Sequence, residues 1–287
     1  LSDEPLRNLV VVSDLHCGCR LGLVPPGGVQ LDDGGSYAPS PLQRKLWRMW
    51  REFWDQWVPL VTKGEPYGVV CNGDALDGVH HNSVTQISHN LKDQAEIAFA
   101  CLRPIVELCE GRYWHVRGTE AHVGKSGQEE ERLAQRLGAV PNAEGQHARW
   151  DLFLRVGPAL VHFLHHIGVT GSQAYEATAV HKELVEMFVE SGRYGDEMPT
   201  VLVRSHRHRH IQTQIGTIRG PAYSVVTPGF QLKTPFAYKI AGARLAQPQI
   251  GGIVIRAVEA QGKATDTGED PVKVLARVWR LERPKVG

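Results

Sequence analysis

Apolar residues along this chain fall into two rhythms. Runs of five or six, "NLVVV" (8–12), "YGVVC" (67–71), "RYWHV" (112–116), "ALVHFL" (159–164) and "TVLVR" (200–204), are bounded by Gly, Pro or polar residues. Apolar runs this short predict strands buried on both faces. Between them the period becomes helical. In "PLQRKLWRMWREFWDQWVPLV" (41–61), Leu46, Trp50, Trp54, Trp57 and Val61 form one stripe, and Pro41 suits a first turn. That stripe reads as core packing. Further helices are predicted at about 85–110, at 127–137 behind the capping pattern Ser126-x-x-Glu129, and at about 173–191.

Strands that alternate with helices predict an α/β sandwich. After residue 205 the helical period stops, and "IQTQIGTI", "AYSVV", "IGGIVIRAV" and "VKVLARVWRL" predict successive strands of a more antiparallel region. No linker or repeat separates the parts, so 1–287 reads as a single domain with a β-rich C-terminal part. The Gly/Pro-rich stretch 17–41 is too long for an ordinary connection. It is a candidate lid or substrate wall, or else a loose surface insertion.

Composition removes some functions. With 32 Lys and Arg against 31 Asp and Glu, the net charge of +1 gives none of the overall basic field of a dedicated nucleic-acid binder. Cys17, Cys19, Cys71, Cys101 and Cys109 are odd in number and sit partly inside apolar runs, which suits a reducing compartment better than a disulfide framework. Neither a charged-then-apolar leader nor an apolar span of membrane length is present, and the chain is expected to be soluble and cytoplasmic. The 14 histidines are the compositional oddity, because many stand in short strings.

Those strings follow the predicted strands. "SDLHCG" supplies Asp14 and His16, "CNGDALDG" Asp74 and Asp77, "RGTEAHVG" Glu120 and His122, "FLHHIG" His165 and His166, and "VRSHRHRH" His206, His208 and His210. In an open α/β sheet the carboxyl ends of the strands converge on one crevice, so residues far apart in sequence can meet there. Carboxylate and imidazole without paired cysteines suit Mn, Fe, Zn or Ni better than Ca or a structural zinc.

The order Asp-x-His, Gly-Asp-x-x-Asp, a Gly-x-x-x-His block, a strand-end His and His-x-His, spread over residues 8–210, resembles the calcineurin-like metallophosphoesterase superfamily. Within it the chain is most similar to calcineurin-like phosphoesterases of bacteriophage and environmental genomes. The resemblance implies two mixed β-sheets packed face to face and flanked by α-helices. It implies two divalent transition metal ions, manganese foremost and iron, zinc or nickel next. Asp14, His16 and His208 would bind one ion, His165 and His206 the other, and Asp74 both, with Asp77 behind the ligands. The implied reaction is hydrolysis of a phosphomonoester or phosphodiester by in-line attack of a hydroxide bridging the metals, with His122 protonating the leaving group.

Two departures from the family pattern stand out. Its third block is Gly-Asn-His, with Asn as a ligand, whereas this chain reads Gly118, Thr119, Glu120, Ala121, His122. Thr119 aligns directly, but Glu120 is the better donor for these metals and is slightly preferred. The Gly expected before the final His-x-His is Ser205. Either His165 or His166 could be the strand-end ligand; His165 is preferred, since neighbouring strand residues face opposite ways. His80 and His81 are candidates for facing substrate, with exposed helix-entry residues as the other reading. Arg207 and Arg209 read as solvated, with phosphate contact the alternative. The leading function is a phosphoesterase acting on a small phosphoester or nucleotide. A nuclease of the same superfamily, acting on DNA or RNA, is the runner-up, and a catalytically silent protein-binding scaffold ranks last. Oligomeric state is left open.

Overall fold

The run at 8–12 forms strand β1 (Asn8–Val12), and its alternation explains how it can be apolar throughout. Leu9 and Val11 enter one core layer, Val10 and Val12 another. The computed structural model describes residues 5–80, 82–168, 172–239, 246–258 and 270–281. After β1 come a ribbon of β2 (Val29–Gln30) and β3 (Ser36–Tyr37), then α1 (Pro41–Glu52), a π-helical turn at Phe53–Trp57, α2 (Val58–Thr62) and β4 (Gly68–Asn72). Next are α3 (Leu91–Leu108), β5 (Tyr113–Val116), α4 (Glu120–Val123), α5 (Gln128–Leu137), β6 (Ala148–Arg149), β7 (Leu152–Val156) and β8 (Ala159–Phe163). A 3-10 turn at Gln173–Tyr175 leads into α6 (Glu176–Tyr194), followed by β9 (Val201–Arg204), β10 (Ile211–Thr217), β11 (Gly220–Val226), β12 (Gln249–Ala257) and β13 (Val272–Arg280).

One sheet has the order β13-β12-β1-β4-β5-β6, with β1, β4, β5 and β6 parallel. The other has the order β10-β11-β9-β8-β7, with β8, β9 and β11 parallel. They pack face to face through Leu9, Val11, Val70, Phe163, Val203 and Ile253. Helices α1, α3 and α5 cover the outer face of the first sheet, and α6 covers the second. The expected sandwich of two mixed sheets flanked by helices is the observed fold. Each large apolar side chain buried in these layers contributes ~1.5–3 kcal/mol, which makes the stacked sheets a stiff support for the loops at their ends.

The first part of the tryptophan stripe is core, with Leu46, Trp50 and Trp54 each 1% exposed, whereas beyond the π turn Trp57 and Val61 are only half-buried and Val58 is buried instead. The π turn widens the helix so that consecutive Phe53 and Trp54 are both buried. Gly252 of β12 leaves the space that Phe53 fills, since a Cβ there would meet the ring at 2.8 Å.

Three expectations need correction. Helix α5 starts where predicted but not behind Ser126: its N-cap is Gly127 at φ 62°, with no side-chain cap, and three consecutive glutamates occupy the first turn. Strand β7 was not anticipated. Its Phe153 and Arg155 are exposed while Leu152 and Val156 are buried, so it lacks a continuous apolar run. Finally, much of 17–41 is fixed in place rather than loose. Cys17, Cys19, Leu23 and Val24 are buried, and the Gln43 side chain donates to the carbonyls of Cys19 and Gly22 at 3.2 and 3.4 Å.

Candidate functional site

Because β1, β4 and β5 are parallel neighbours, the segments leaving them lie side by side, and those leaving β8 and β9 meet them from the other sheet. The first two stay in register beyond the strands, with Asp14 N–H donating to Gly73 O and His16 N–H to Asp74 O, both at 3.0 Å. Asp14, His16, Asp74, His206 and His208 all hold left-handed backbone, with φ of 53°, 45°, 53°, 71° and 50°. That conformation costs a non-glycine residue about 1 kcal/mol, and such strain gathers where side chains must be aimed.

The result is a compact cluster. Asp14 Oδ1 is 3.2 Å from His208 Nε2 and 4.0 Å from His16 Nε2, while the two imidazole Nε2 atoms are 3.2 Å apart. Asp74 Oδ2 is 3.0 Å from His165 Nε2 and 3.9 Å from both His206 Nδ1 and His122 Nε2. Among the described residues, four triads bring ligand atoms within 4.8 Å of one another: Asp14–His16–His208, His16–Asp74–His122, Asp74–His165–His206 and Asp77–His80–His122. Asp14 Oδ1 and His165 Nε2 are buried without a hydrogen-bond partner. Inward-facing imidazole and carboxylate atoms left unsatisfied in this way fit divalent transition metals.

Acceptors behind the rings set their orientation. His165 Nδ1 is 2.7 Å from Asn72 O, which can only accept, so Nδ1 carries a proton and Nε2 is the nitrogen that faces the cluster. His122 Nδ1 is held by Asp77 O in the same way. Asp77 Oδ1 lies 3.3 Å from His16 Nδ1, and its Oδ2 accepts from Gln86 Nε2 at 2.9 Å. Such outer contacts fix the tautomer and direction of ligating histidines.

Burial alone would raise the Asp14 and Asp74 carboxyls, but the imidazoles beside them prevail. His208 and His165 at Asp14, and His165 and His122 at Asp74, hold both well below the usual carboxylate range. Burial opposes the His165 imidazolium too, yet Asp74 and Asp14 carry it up to about 10. His122 goes the other way, down to about 4, because burial outweighs the attraction of Asp74.

The segment after β5 departs from the sequence reading. Gly118 sits so close to Asp74 that a Cβ would meet Asp74 Oδ1 at 2.0 Å. Thr119 then donates its backbone N–H to Asp74 Oδ1 at 2.7 Å, and its Oγ1 lies 3.0 and 3.1 Å from the two carboxylate oxygens. Glu120 opens the single turn α4, is exposed, and belongs to none of the triads. The turn swings it outward and brings His122 inward instead.

His165 is buried and His166 exposed, although both lie past the end of β8, in a bend where strand alternation no longer governs direction. His80 stands at the rim of the cluster, its ring 4.3 Å from that of His122, whereas His81 lies outside the described residues.

Sequence reasoning missed Glu130. Its fully buried carboxylate accepts from Ala75 N–H at 2.8 Å and Gly118 N–H at 2.6 Å, so it ties the Asp74 loop to the Thr119 loop. The signal was present: Glu130 falls in line with Leu133, Ala134 and Leu137 on the apolar face of α5. An acid at such a position has to be hydrogen-bonded inside.

The cluster floors a cavity of about 490 Å³ walled by Ile167, Leu232, Phe236 and Pro248 among others. No residue of 17–41 is among those lining it. Arg207 and Arg209 do line it but are engaged: Arg209 grips the Glu176 carboxylate at 2.7 and 2.9 Å, and Arg207 donates to the carbonyls of Glu176 and Gly168. All five cysteines are buried and unbridged, and burial pushes the Cys19 and Cys109 thiols up to about 12.

No family model matches the chain, and no curated protein matches it in sequence. Several solved structures resemble it in backbone. Vps29 of Entamoeba histolytica in complex with zinc is 12% identical, with 94% of this chain and 98% of that one covered at a TM-score of 0.38. A predicted phosphoesterase of Streptococcus pneumoniae is 10% identical, with 94% and 98% covered at 0.35. A metallophosphoesterase of Sphaerobacter thermophilus is 11% identical, with 96% and 89% covered at 0.37. Similarity of this degree leaves the chemistry to be argued from the residues themselves.

Proposed function

We propose that the protein is a metal-dependent phosphoric ester hydrolase of the calcineurin-like superfamily, acting on a small phosphoester or nucleotide as a phosphodiesterase, a phosphomonoesterase or both. The observation that carries this reading is the place of Asp74, grouped with His16 and His122 on one side and with His165 and His206 on the other. Asp14, His16 and His208 would hold one divalent cation, His165 and His206 a second, and Asp74 both. Manganese is the first choice, with iron, zinc and nickel suited to the same donors. Two such ions, when bound, supply a water acidified to act as nucleophile near neutral pH and neutralise charge on the transferring phosphoryl group.

The chain supplies the other parts. Asn72 O and Asp77 aim the ligand rings, and Thr119 pins Asp74 where the resembling family has Asn. Glu120 has no part in this scheme. His122, held through Nδ1, directs Nε2 toward the Asp74 side of the cluster, where it would protonate the leaving alkoxide. A positioned general acid contributes about 10²- to 10⁴-fold. His80, on the cavity wall, would contact substrate. The nuclease reading is weaker, because following a polyanion takes cations free to meet its phosphates, and Arg207 and Arg209 are bound to Glu176.

The test strips the protein with chelator, restores Mn²⁺, Fe²⁺, Zn²⁺ or Ni²⁺ in parallel, and assays bis-p-nitrophenyl phosphate, p-nitrophenyl phosphate, cyclic nucleotides and single-stranded DNA. Metal-dependent turnover of the small esters is expected. Full activity after verified metal removal, or none with any of the ions, refutes the reading.

A further inference from the structure

A line of buried polar groups runs beneath the cluster and across both sheets. Asn72 Nδ2 donates to Ser205 Oγ at 2.7 Å; Ser205 Oγ and Thr227 Oγ1 are 2.7 Å apart, as are Thr227 Oγ1 and Ser13 Oγ; and Ser13 Oγ donates to Asp14 Oδ2 at 2.6 Å. Asn72, Ser205, Thr227, Ser13 and Asp14 are all 0% exposed. Asn72 and Ser13 belong to the first sheet and the segment leaving it, Ser205 and Thr227 to segments leaving β9 and β11 of the second.

The proton order follows from the two ends. Asn72 Nδ2 also donates to Leu164 O at 3.1 Å, which fixes its amide with nitrogen toward Ser205. At the other end a carboxylate only accepts. Each hydroxyl between has one proton, so all three must point toward Asp14. The competing acceptors, Arg204 O at 3.3 Å from Thr227 Oγ1 and Pro228 O at 3.4 Å from Ser13 Oγ, are more distant. Hydrogen bonds aligned in one direction polarise one another.

We propose that this one-way hydroxyl chain, with Thr227 at its centre, is a positioning device that sets cation affinity at the Asp14–His16–His208 group; the proposal rests on the metal-site reading above. It holds Asp14 Oδ2, together with the His206 N–H at 3.3 Å, and so turns Oδ1 toward His208 and His165. Ser205, where the resembling family has Gly, supplies a link that Gly lacks. The chain spans the two sheets, so it also fixes the distance between Asp14 and the histidines that come from the other sheet.

Mn²⁺ binding to the chelator-stripped protein, followed by isothermal titration calorimetry, tests the idea on four variants. Thr227→Val keeps the shape and removes the central hydroxyl, and is expected to weaken one Mn²⁺ binding event by about 10- to 100-fold, the usual effect of losing an outer contact to a ligand. Ser205→Gly breaks a different link and is expected to act in the same direction. Thr227→Ser restores the hydroxyl and binds within about threefold of wild type. Ser224→Ala removes a buried hydroxyl of β11 that lies outside the chain and has no hydrogen-bond partner, and leaves both events unchanged. A uniform loss at both events, loss in Ser224→Ala equal to that in Thr227→Val, or wild-type affinity in both Thr227→Val and Ser205→Gly overturns the positioning role. Absence of any Mn²⁺ binding by the wild-type protein overturns the metal-site reading, and the role with it.

Discussion

Replacing Glu130 by Gln tests whether one buried carboxylate joins the two loops that present Asp74 and His122. Its oxygens each accept a backbone N–H, Ala75 at 2.8 Å and Gly118 at 2.6 Å, in a position with 0% exposure. Glutamine retains one acceptor and sets an NH₂ group against the other N–H. The change loses a hydrogen bond to a charged group, ~1.5–3 kcal/mol, and leaves a buried donor unpaired, ~1–3 kcal/mol. These costs overlap, and burying a neutral amide instead of a carboxylate offsets part of them. A destabilisation of about 2–4 kcal/mol remains, equivalent at ~2.1 cal/mol/K of unfolding entropy per residue to a Tm lower by about 3–7 °C in a chain of this size. Thermal unfolding in chelator, followed by circular dichroism, reads it directly. Glu129→Gln is the control, since Glu129 sits one residue earlier in the same turn and makes only a surface pair with Arg132 at 2.9 Å; a shift of ~1 °C or less is expected there. With the loops no longer joined, kcat should fall more than KM rises. A Glu130→Gln Tm within about 1 °C of wild type refutes the reasoning.

Thr119→Ala should reduce turnover more than Glu120→Gln, because Thr119 touches Asp74 and Glu120 is exposed; the reverse order in steady-state kinetics would return Glu120 to the cluster. His122→Ala should slow esters with poor alkoxide leaving groups far more than p-nitrophenyl esters, with metal content near normal, and a uniform loss across leaving groups removes it as the acid. His165, at about 10 in the folded protein against about 6.5 in an unfolded chain, contributes metal-free stability that is complete below about pH 6.5 and is lost as pH rises toward 10. Urea unfolding of the stripped protein should therefore show stability declining between pH 7 and 10, and a decline just as steep in His165→Gln would contradict it. Binding of a cation at His165 must displace that proton, so titrations at pH 7 in buffers of different ionisation heat should show proton release.

The strand ends were legible because each short apolar run is followed within a few residues by Asp, Glu or His. The tryptophan stripe was legible for the same kind of reason: a period of 3.6 over twenty residues leaves little ambiguity. What escaped depends on contacts that no local pattern encodes. Strand β7 alternates because one face is exposed, and β2, β3 and β6 are two residues each. Donor strength favoured Glu120 over Thr119, but the four-residue turn α4 decides which of them faces inward. Glu130 stands among three consecutive acids in "QEEER", and only its register with Leu133 and Leu137 marks it as interior. The stretch 17–41 suggested a gate by its Gly and Pro content, yet Leu23 and Val24 anchor it in the core.

The left-handed backbone at Asp14, His16, Asp74, His206 and His208 sets the stability of this fold against the chemistry of its cluster. At about 1 kcal/mol each, five such residues cost about 5 kcal/mol, a large share of the ~5–15 kcal/mol by which folded domains exceed their unfolded chains. Glycine or asparagine takes that conformation with less strain. Asp and His at these five places thus aim their side chains at a cost in fold stability, which sets up an inexpensive screen: Gly or Asn variants at these positions that bind no cation yet melt higher than the stripped parent would separate the demands of chemistry from those of the fold.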